Sequence, residues 1–185
     1  MDASQKTPLE SRPDNGWPAK QGKRPMDRAG HIAVFRRGGS DTPPADDALV
    51  LPDWSEADWN NLLNRTRPYP VRASEVVIQR GATDRNISFV TAGSFDVGIT
   101  QVDGLSISPL VQIGAGSVIG EQSFFDGRPR SANVWAVLDG ELLSLDYEDF
   151  QRFAREEPAL SRDLVIALAR VLSVRLRNTT FRVRR

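Results

Sequence analysis

Residues 114–136 read Gly114-Ala115-Gly116-Ser117-Val118-Ile119-Gly120-Glu121-Gln122-Ser123-Phe124-Phe125-Asp126-Gly127-Arg128-Pro129-Arg130-Ser131-Ala132-Asn133-Val134-Trp135-Ala136. The order is that of a strand end, a Gly-Glu step into a short turn of helix, an Asp126-Gly127 turn, and a returning strand opened by Arg130 and Ser131. Such a fold-back sets one cation, one carboxylate and a helix N-terminus around a single small space.

Each group there has a distinct chemistry. Gly120 admits a close approach to the backbone, and the free N–H groups of the turn at Gln122 and Ser123 form a seat for an anion. Arg130 adds a two-pronged, charge-assisted grip on phosphate, and Ser131 a further hydrogen bond to the same anion. Glu121, an acceptor when ionised, suits a sugar hydroxyl and repels phosphate. The stretch reads as phosphate at one end and ribose at the other. The alternative is a mutual Glu121–Arg130 ion pair that merely closes a loop, disfavoured because two charges entering apolar strands are costly unless they serve a ligand.

Outward from this stretch, residues 68–146 consist of short apolar or alternating runs: Glu75 to Gln79, Ile87 to Thr91, Phe95 to Thr100, Pro109 to Ile113, Ser131 to Leu138 and Glu141 to Leu145. Glycines at 81, 93, 104, 114, 116, 127 and 140 punctuate them. Short strands with frequent turn signals predict a mainly β, antiparallel roll or jelly roll. No helix-length segment lies between the runs, so parallel crossovers have no material.

Helices are expected on both flanks. Asp53 or Ser55 can cap a short helix over 55–64, with Trp54 and Trp59 docking onto the body. Pro158 sits where a long helix begins, and 159–178 carries Leu160, Leu164, Leu168, Leu172 and Leu176. Steps of four drift by about 40° each, so the row winds round the helix. With Val165, Val171 and Val174 the apolar arc spans roughly 220°, against about 100° for a helix resting on one core. Two partners are therefore expected: the β-body, and the same helix of a second subunit in a two-fold homodimer. The alternative is a fully buried terminal helix within one domain.

Residues 1–50 hold half of the 12 prolines and one short apolar patch, and they predict a mostly disordered leader with His31 exposed inside it. The domain proper is expected over 51–146 as a roll with its short helix and over 147–180 as the helices behind it, with 181–185 a basic tail. The zero net charge is uneven: the middle of the chain is acidic, and the last 35 residues carry nine arginines against three acids. Arg175, Arg177, Arg182, Arg184 and Arg185 read as a solvated helix end suited to the C-terminal dipole, rather than a surface for nucleic acid or membrane.

Composition closes several classes. With no Cys and one His, a Cys/His zinc site, a catalytic thiol and a His-rich metal cage of cupin type are excluded, so no metal cofactor is expected and hydrolase readings start poor. The longest charge-free run, Gly104 to Gly120, is too short to span a bilayer and holds four glycines and a proline. No apolar signal core opens the chain. A cytoplasmic location is expected.

The Gly-Glu step, short helix and Arg-Ser-Ala of residues 120–132 resemble the phosphate-binding cassette of the cyclic nucleotide-binding domain family. The resemblance extends from about Leu62 to Asn178. It implies an eight-stranded roll, a hinge helix near Tyr147 to Glu156 and a long last helix that contacts the base. It implies that Glu121 accepts from the ribose 2′-hydroxyl, that Arg130 and Ser131 hold the cyclic phosphate, and that Gly120 with the amides of Gln122 and Ser123 completes the cradle. Arg175 stands inside the apolar arc, where a cation either reaches the ligand or snorkels, with Thr179 a weaker neighbour. Gln122 departs from the family's usual apolar residue and leaves cAMP, cGMP and cyclic dinucleotides open; Ser131 resembles the bacterial catabolite-activator type, whose ligand carries adenine. The function so implied is a non-catalytic cyclic nucleotide sensor, cAMP first, against a dimerisation or adaptor module that has kept the roll without the ligand. Transcriptional relatives carry a helix-turn-helix after the long helix, and with the sequence stopping at Arg185 no sequence-specific DNA binding is expected.

Overall fold

A computed structural model of the chain describes residues 26–36, 46–51, 53–100 and 107–183. In chain order the elements are α1 (Arg28–Arg36), α2 (Glu56–Leu63), β1 (Arg67–Val71), β2 (Val76–Ile78), β3 (Asn86–Thr100), β4 (Ile107–Gly114), β5 (Val118–Ile119), α3 (Glu121–Asp126), β6 (Asn133–Asp146), α4 (Tyr147–Glu156) and α5 (Pro158–Val183). β3 and β6 form the spine of one sheet. β1 and β2 pair with β6, β4 and β5 pair with β3, and every pairing is antiparallel. The expected antiparallel roll with flanking helices is what forms.

The described residues hold six strands, where eight were expected, because two pairs of runs fuse into β3 and β6 across Gly93 and Gly140. These glycines are not turns. They sit where the β3–β6 register shifts, and a Cβ on Gly93 would lie 2.7 Å from the Cα of Gly140. Two backbones cross too closely there for a side chain, so the strands bend without breaking. β1 was missed because Pro68 and Pro70 read as breakers; it pairs only with β6, and an edge strand tolerates proline.

Alternation along the spine buries it on both faces. Ile87, Phe89, Leu143 and Leu145 face a core shared with the helices, while Val90, Phe95, Val134, Ala136 and Leu142 fill the interior of the roll. α2 opens on a full capping box between Ser55 and Asp58, so Ser55 rather than Asp53 is the cap. Trp54 and Trp59 dock into the helix-side core as expected, and they also meet edge-on.

α5 starts at Pro158 and runs to Val183, taking in part of the expected tail; Arg184 and Arg185 lie outside the described residues. Its leucine row winds as the drift predicts. Leu164, Leu168 and Val171 are fully buried against the body, Leu160 and Leu172 are half-buried, and Ile166 and Leu176 are 61% and 68% exposed. No helix among the described residues is long and apolar enough to cross a membrane.

The reading of residues 1–50 needs correction where they are described. α1 packs Ile32 and Phe35 into the helix-side core, Phe35 stacking on Trp59 and meeting Phe89 edge-on. His31 is buried, not exposed: its Nε2 lies 2.5 Å from Glu141 Oε1, and Glu141 also accepts from the Thr91 hydroxyl and the Met26 amide. A nine-residue helix is not stable alone, and it forms here because it covers a carboxylate and aromatic surface that β6 and α2 leave open. Residues 1–25 and 37–45, on which the rest of that expectation falls, lie outside the described residues.

Candidate functional site

α3 begins at Gly120, whose φ of 82° is left-handed and which offers no side-chain cap. The first hydrogen bond of the helix runs from the Phe124 amide to Gly120 O. The amides of Glu121, Gln122 and Ser123 thus have no intrahelical acceptor and face the N-terminal end. Gly120 is required twice over: besides its φ, an added Cβ would collide with Arg130 Nη1 and lie 2.9 Å from Asn86 O. The glycine makes room for the guanidinium.

At the other end, Arg85 closes α3 onto the following helix. Its Nε and Nη2 donate to the carbonyls of Phe124 and Phe125, and its guanidinium lies 3.5 Å over the Tyr147 ring. Phe124, fully buried, packs edge-on against Tyr147 and Phe150 of α4. A displacement of α3 is therefore felt by α4 and, through it, by α5.

All seven residues singled out from the sequence, Gly120, Glu121, Gln122, Ser123, Arg130, Ser131 and Arg175, line one cavity of about 390 Å³. Its apolar wall comes from the roll, with Ile78, Val97, Ile99, Leu110, Val111 and Ile113 among its residues, and Asn178 and Thr179 reach it from α5. Gln122 and Ser131 are exposed, whereas Glu121, Ser123 and Arg130 are buried.

The expected alternative, a Glu121–Arg130 pair, is not what forms. Arg130 pairs with Asp84 through Nε and Nη2, donates from Nη2 to Asn86 O and Asn86 Oδ1, and from Nη1 to Gly120 O at 3.1 Å. Backbone bonds between Arg130 and residues 81 and 82 hold it beside the loop that leads to Asp84. Of the five guanidinium hydrogens, these contacts leave one, on Nη1. The two-pronged grip read from the sequence is thus not free in this arrangement; it requires Nη2 to exchange a protein acceptor for an incoming one.

Glu121 pairs instead with Arg175, Nη1 to Oε1 at 2.7 Å. The same guanidinium donates from Nη2 to Val118 O at 2.9 Å and from Nε to Asp47 Oδ2 at 2.8 Å. Burial works against its charge, but Glu121 and then Asp47 outweigh burial and raise its pKa above the ordinary guanidinium value. Arg175 therefore reaches the cavity and does not snorkel.

Sequence reasoning missed Asp84 and Asn86, the acceptors of Arg130, and Asp47, a cavity residue in a segment taken for leader. The only local signal for Asp84 and Asn86 was the polar Asp-Arg-Asn run that leads into β3. Nothing local marked Asp47.

Residues 69–157 match the family model described as the cyclic nucleotide-binding domain. A Cyclic AMP receptor protein of Thermus thermophilus is 32% identical over 106 residues, 57% of this chain and 48% of that protein. A cyclic nucleotide-gated potassium channel of Rhizobium etli is 29% identical over 103 residues, 56% of this chain and 27% of the channel. The crystal structure of a cyclic nucleotide-binding domain from Methylobacillus flagellatus superposes with a TM-score of 0.70 at 20% identity, covering 84% of this chain and 83% of that one. The chain thus spans half or less of the length of these two curated relatives.

Proposed function

Since residues 69–157 belong to the cyclic nucleotide-binding domain family, we propose that this chain is a cytoplasmic, non-catalytic sensor of a cyclic nucleotide, cAMP in the first place. The carrying observation is that Arg130 and Glu121, buried charges at the two ends of the cassette, open on the same cavity together with Arg175 of α5. The cyclic phosphate takes the remaining Nη1 hydrogen of Arg130 and an Nη2 hydrogen given up by Asp84, with the Ser131 hydroxyl and the amides of Gln122 and Ser123. The ribose 2′-hydroxyl donates to Glu121. The base lies along Val97, Ile99, Leu110 and Val111, under Asn178 and Thr179. At about 390 Å³ the cavity is near the lower end of small-molecule sites, which favours a mononucleotide over a cyclic dinucleotide.

Because one ligand touches both the roll and α5, it binds differently to arrangements that place α5 differently, and this differential affinity is what converts occupancy into signal. The output surface is α5 itself. Its exposed Ile166 and Leu176 supply the second apolar edge of a two-fold homodimer.

One observation favours the adaptor reading. Arg130 and Glu121 are both paired within the protein, and no buried side-chain nitrogen or oxygen among the described residues lacks a hydrogen bond. The constellation is thus stable as a scaffold. Calorimetric titration with cAMP, cGMP and cyclic dinucleotides separates the readings. Saturable cAMP binding supports the sensor, while no heat with any of them, from a protein that still dimerises, leaves the adaptor.

A further inference from the structure

The segment 46–51 lies ahead of the matched domain, yet it is built into the site. Ala48 and Leu49 are buried, the Leu49 amide donates to Gly116 O at 2.9 Å, and Ala48 O accepts from Arg170 of α5. These anchors bring the carboxylate of Asp47 to the cavity and onto Arg175 Nε. Arg175 is then held by three different parts of the chain, one on each guanidinium nitrogen: Asp47 on Nε, Glu121 on Nη1 and Val118 O on Nη2.

From this geometry we infer that Asp47 is a positioning residue of the nucleotide site: it fixes Arg175, and through Arg175 the orientation in which Glu121 presents its carboxylate to the ribose 2′-hydroxyl. The inference rests on the nucleotide reading above and extends it to a residue outside the family segment. Glu121 bonds Arg175 through Oε1, so Oε2 is the oxygen offered to a sugar. A guanidinium held at one point can swing and carry the carboxylate with it; held at three it cannot, and pre-orientation of this kind contributes to affinity by lowering the cost of ordering. Segment 46–49 is accordingly a wall of the site supplied from the N-terminal side, and by reciprocity ligand and segment stabilise each other's docking.

The test compares the full chain with Asp47→Asn and Asp47→Glu in calorimetric titrations with cAMP and with 2′-deoxy-cAMP, which lacks the hydroxyl Glu121 reads. The wild-type chain is expected to prefer cAMP by about tenfold or more, the worth of a hydrogen bond to a charged group; Asp47→Asn narrows that preference to about threefold by weakening cAMP alone, and Asp47→Glu restores it. Equal weakening of both nucleotides, or an unchanged preference, overturns the inference by reducing Asp47 to a structural role or to none. A second readout needs no ligand. Hydrogen exchange of the Leu49 amide, bonded to Gly116 O, is expected to quicken in Asp47→Asn, and unaltered exchange overturns the latch while leaving the nucleotide reading in place. A wild-type chain that binds neither nucleotide removes the ribose role of Glu121 and the function with it, and exchange alone then decides whether Asp47 holds the segment.

Discussion

Arg130 Nε lies 3.1 Å from Asp84 Oδ2, so the guanidinium proposed to take an anionic ligand already carries a carboxylate of the protein. The arginine is almost wholly buried while Asp84 is half-exposed, so Asp84 can leave for water and Arg130 cannot. In the proposed complex an incoming phosphate would exchange with a partner that has somewhere to go. Arg130→Ala is expected to weaken cAMP binding by about 2–5 kcal/mol, the usual loss on truncating one member of a buried charge pair. Arg130→Lys is expected not to rescue it, since a single ammonium cannot serve Asp84, Asn86 and Gly120 together. Calorimetry that finds lysine equivalent to arginine defeats this account.

Gly120→Ala places a Cβ against Arg130 at a residue whose φ is 82°. The left-handed backbone costs about 1–2 kcal/mol for an ordinary residue, and the guanidinium must also move. The variant is expected to unfold at lower temperature and to lose nucleotide affinity. Retention of both would mean that the cassette relaxes without disturbing Arg130.

His31→Leu removes one of the partners of a buried carboxylate, leaving Glu141 with Thr91 and the Met26 amide. Losing a hydrogen bond to a buried charged group costs about 1.5–3 kcal/mol, and the loss is expected both in urea unfolding and as faster proteolysis within α1. Protease resistance equal to the wild type would show that Ile32 and Phe35 alone keep α1 docked.

Leu176→Glu and Ile166→Glu alter side chains that are exposed on the single chain, so they are expected to yield folded monomers at micromolar concentration. Leu168→Ala, fully buried in the same helix, is expected to cost about 2–5 kcal/mol of stability. Light scattering that still reports a dimer for the double Glu variant excludes this face as the seam.

Tyr69 is raised in pKa by burial first, then by its hydrogen bond to Glu75 and the charge of that carboxylate. The folded state holds the phenol protonated beyond the pH at which the unfolded chain releases it. Its contribution is complete below about pH 10, the ordinary phenol value, and declines as pH rises further. Tyr69→Phe is expected to flatten the alkaline side of the stability profile, and an identical slope in the two proteins refutes the assignment.

Much of the cavity's lining was legible in residues 114–136 because its parts are local. A glycine, a carboxylate, a turn of helix and an arginine within a few positions can fold back on one another whatever surrounds them, and the six residues chosen there do line one cavity, which Arg175 joins from α5. The strands were legible as alternating runs, but the continuity of β3 and β6 was not. A glycine that marks a turn and a glycine that marks a close crossing of two backbones look alike until the partner strand is known, as Gly93 and Gly140 show.

The sequence by itself determined the fold class, the cassette and the winding apolar row of α5, because periodicity and short-range spacing carry those. Tertiary structure alone decided which charges meet. Glu121 found Arg175 54 residues away, Arg175 found Asp47 128 residues away, Arg130 found Asp84, and His31 found Glu141. Charges in a chain have no preferred partner until packing brings them together out of water. Only there, where an unpaired charge costs most, does the choice of partner become energetically decisive.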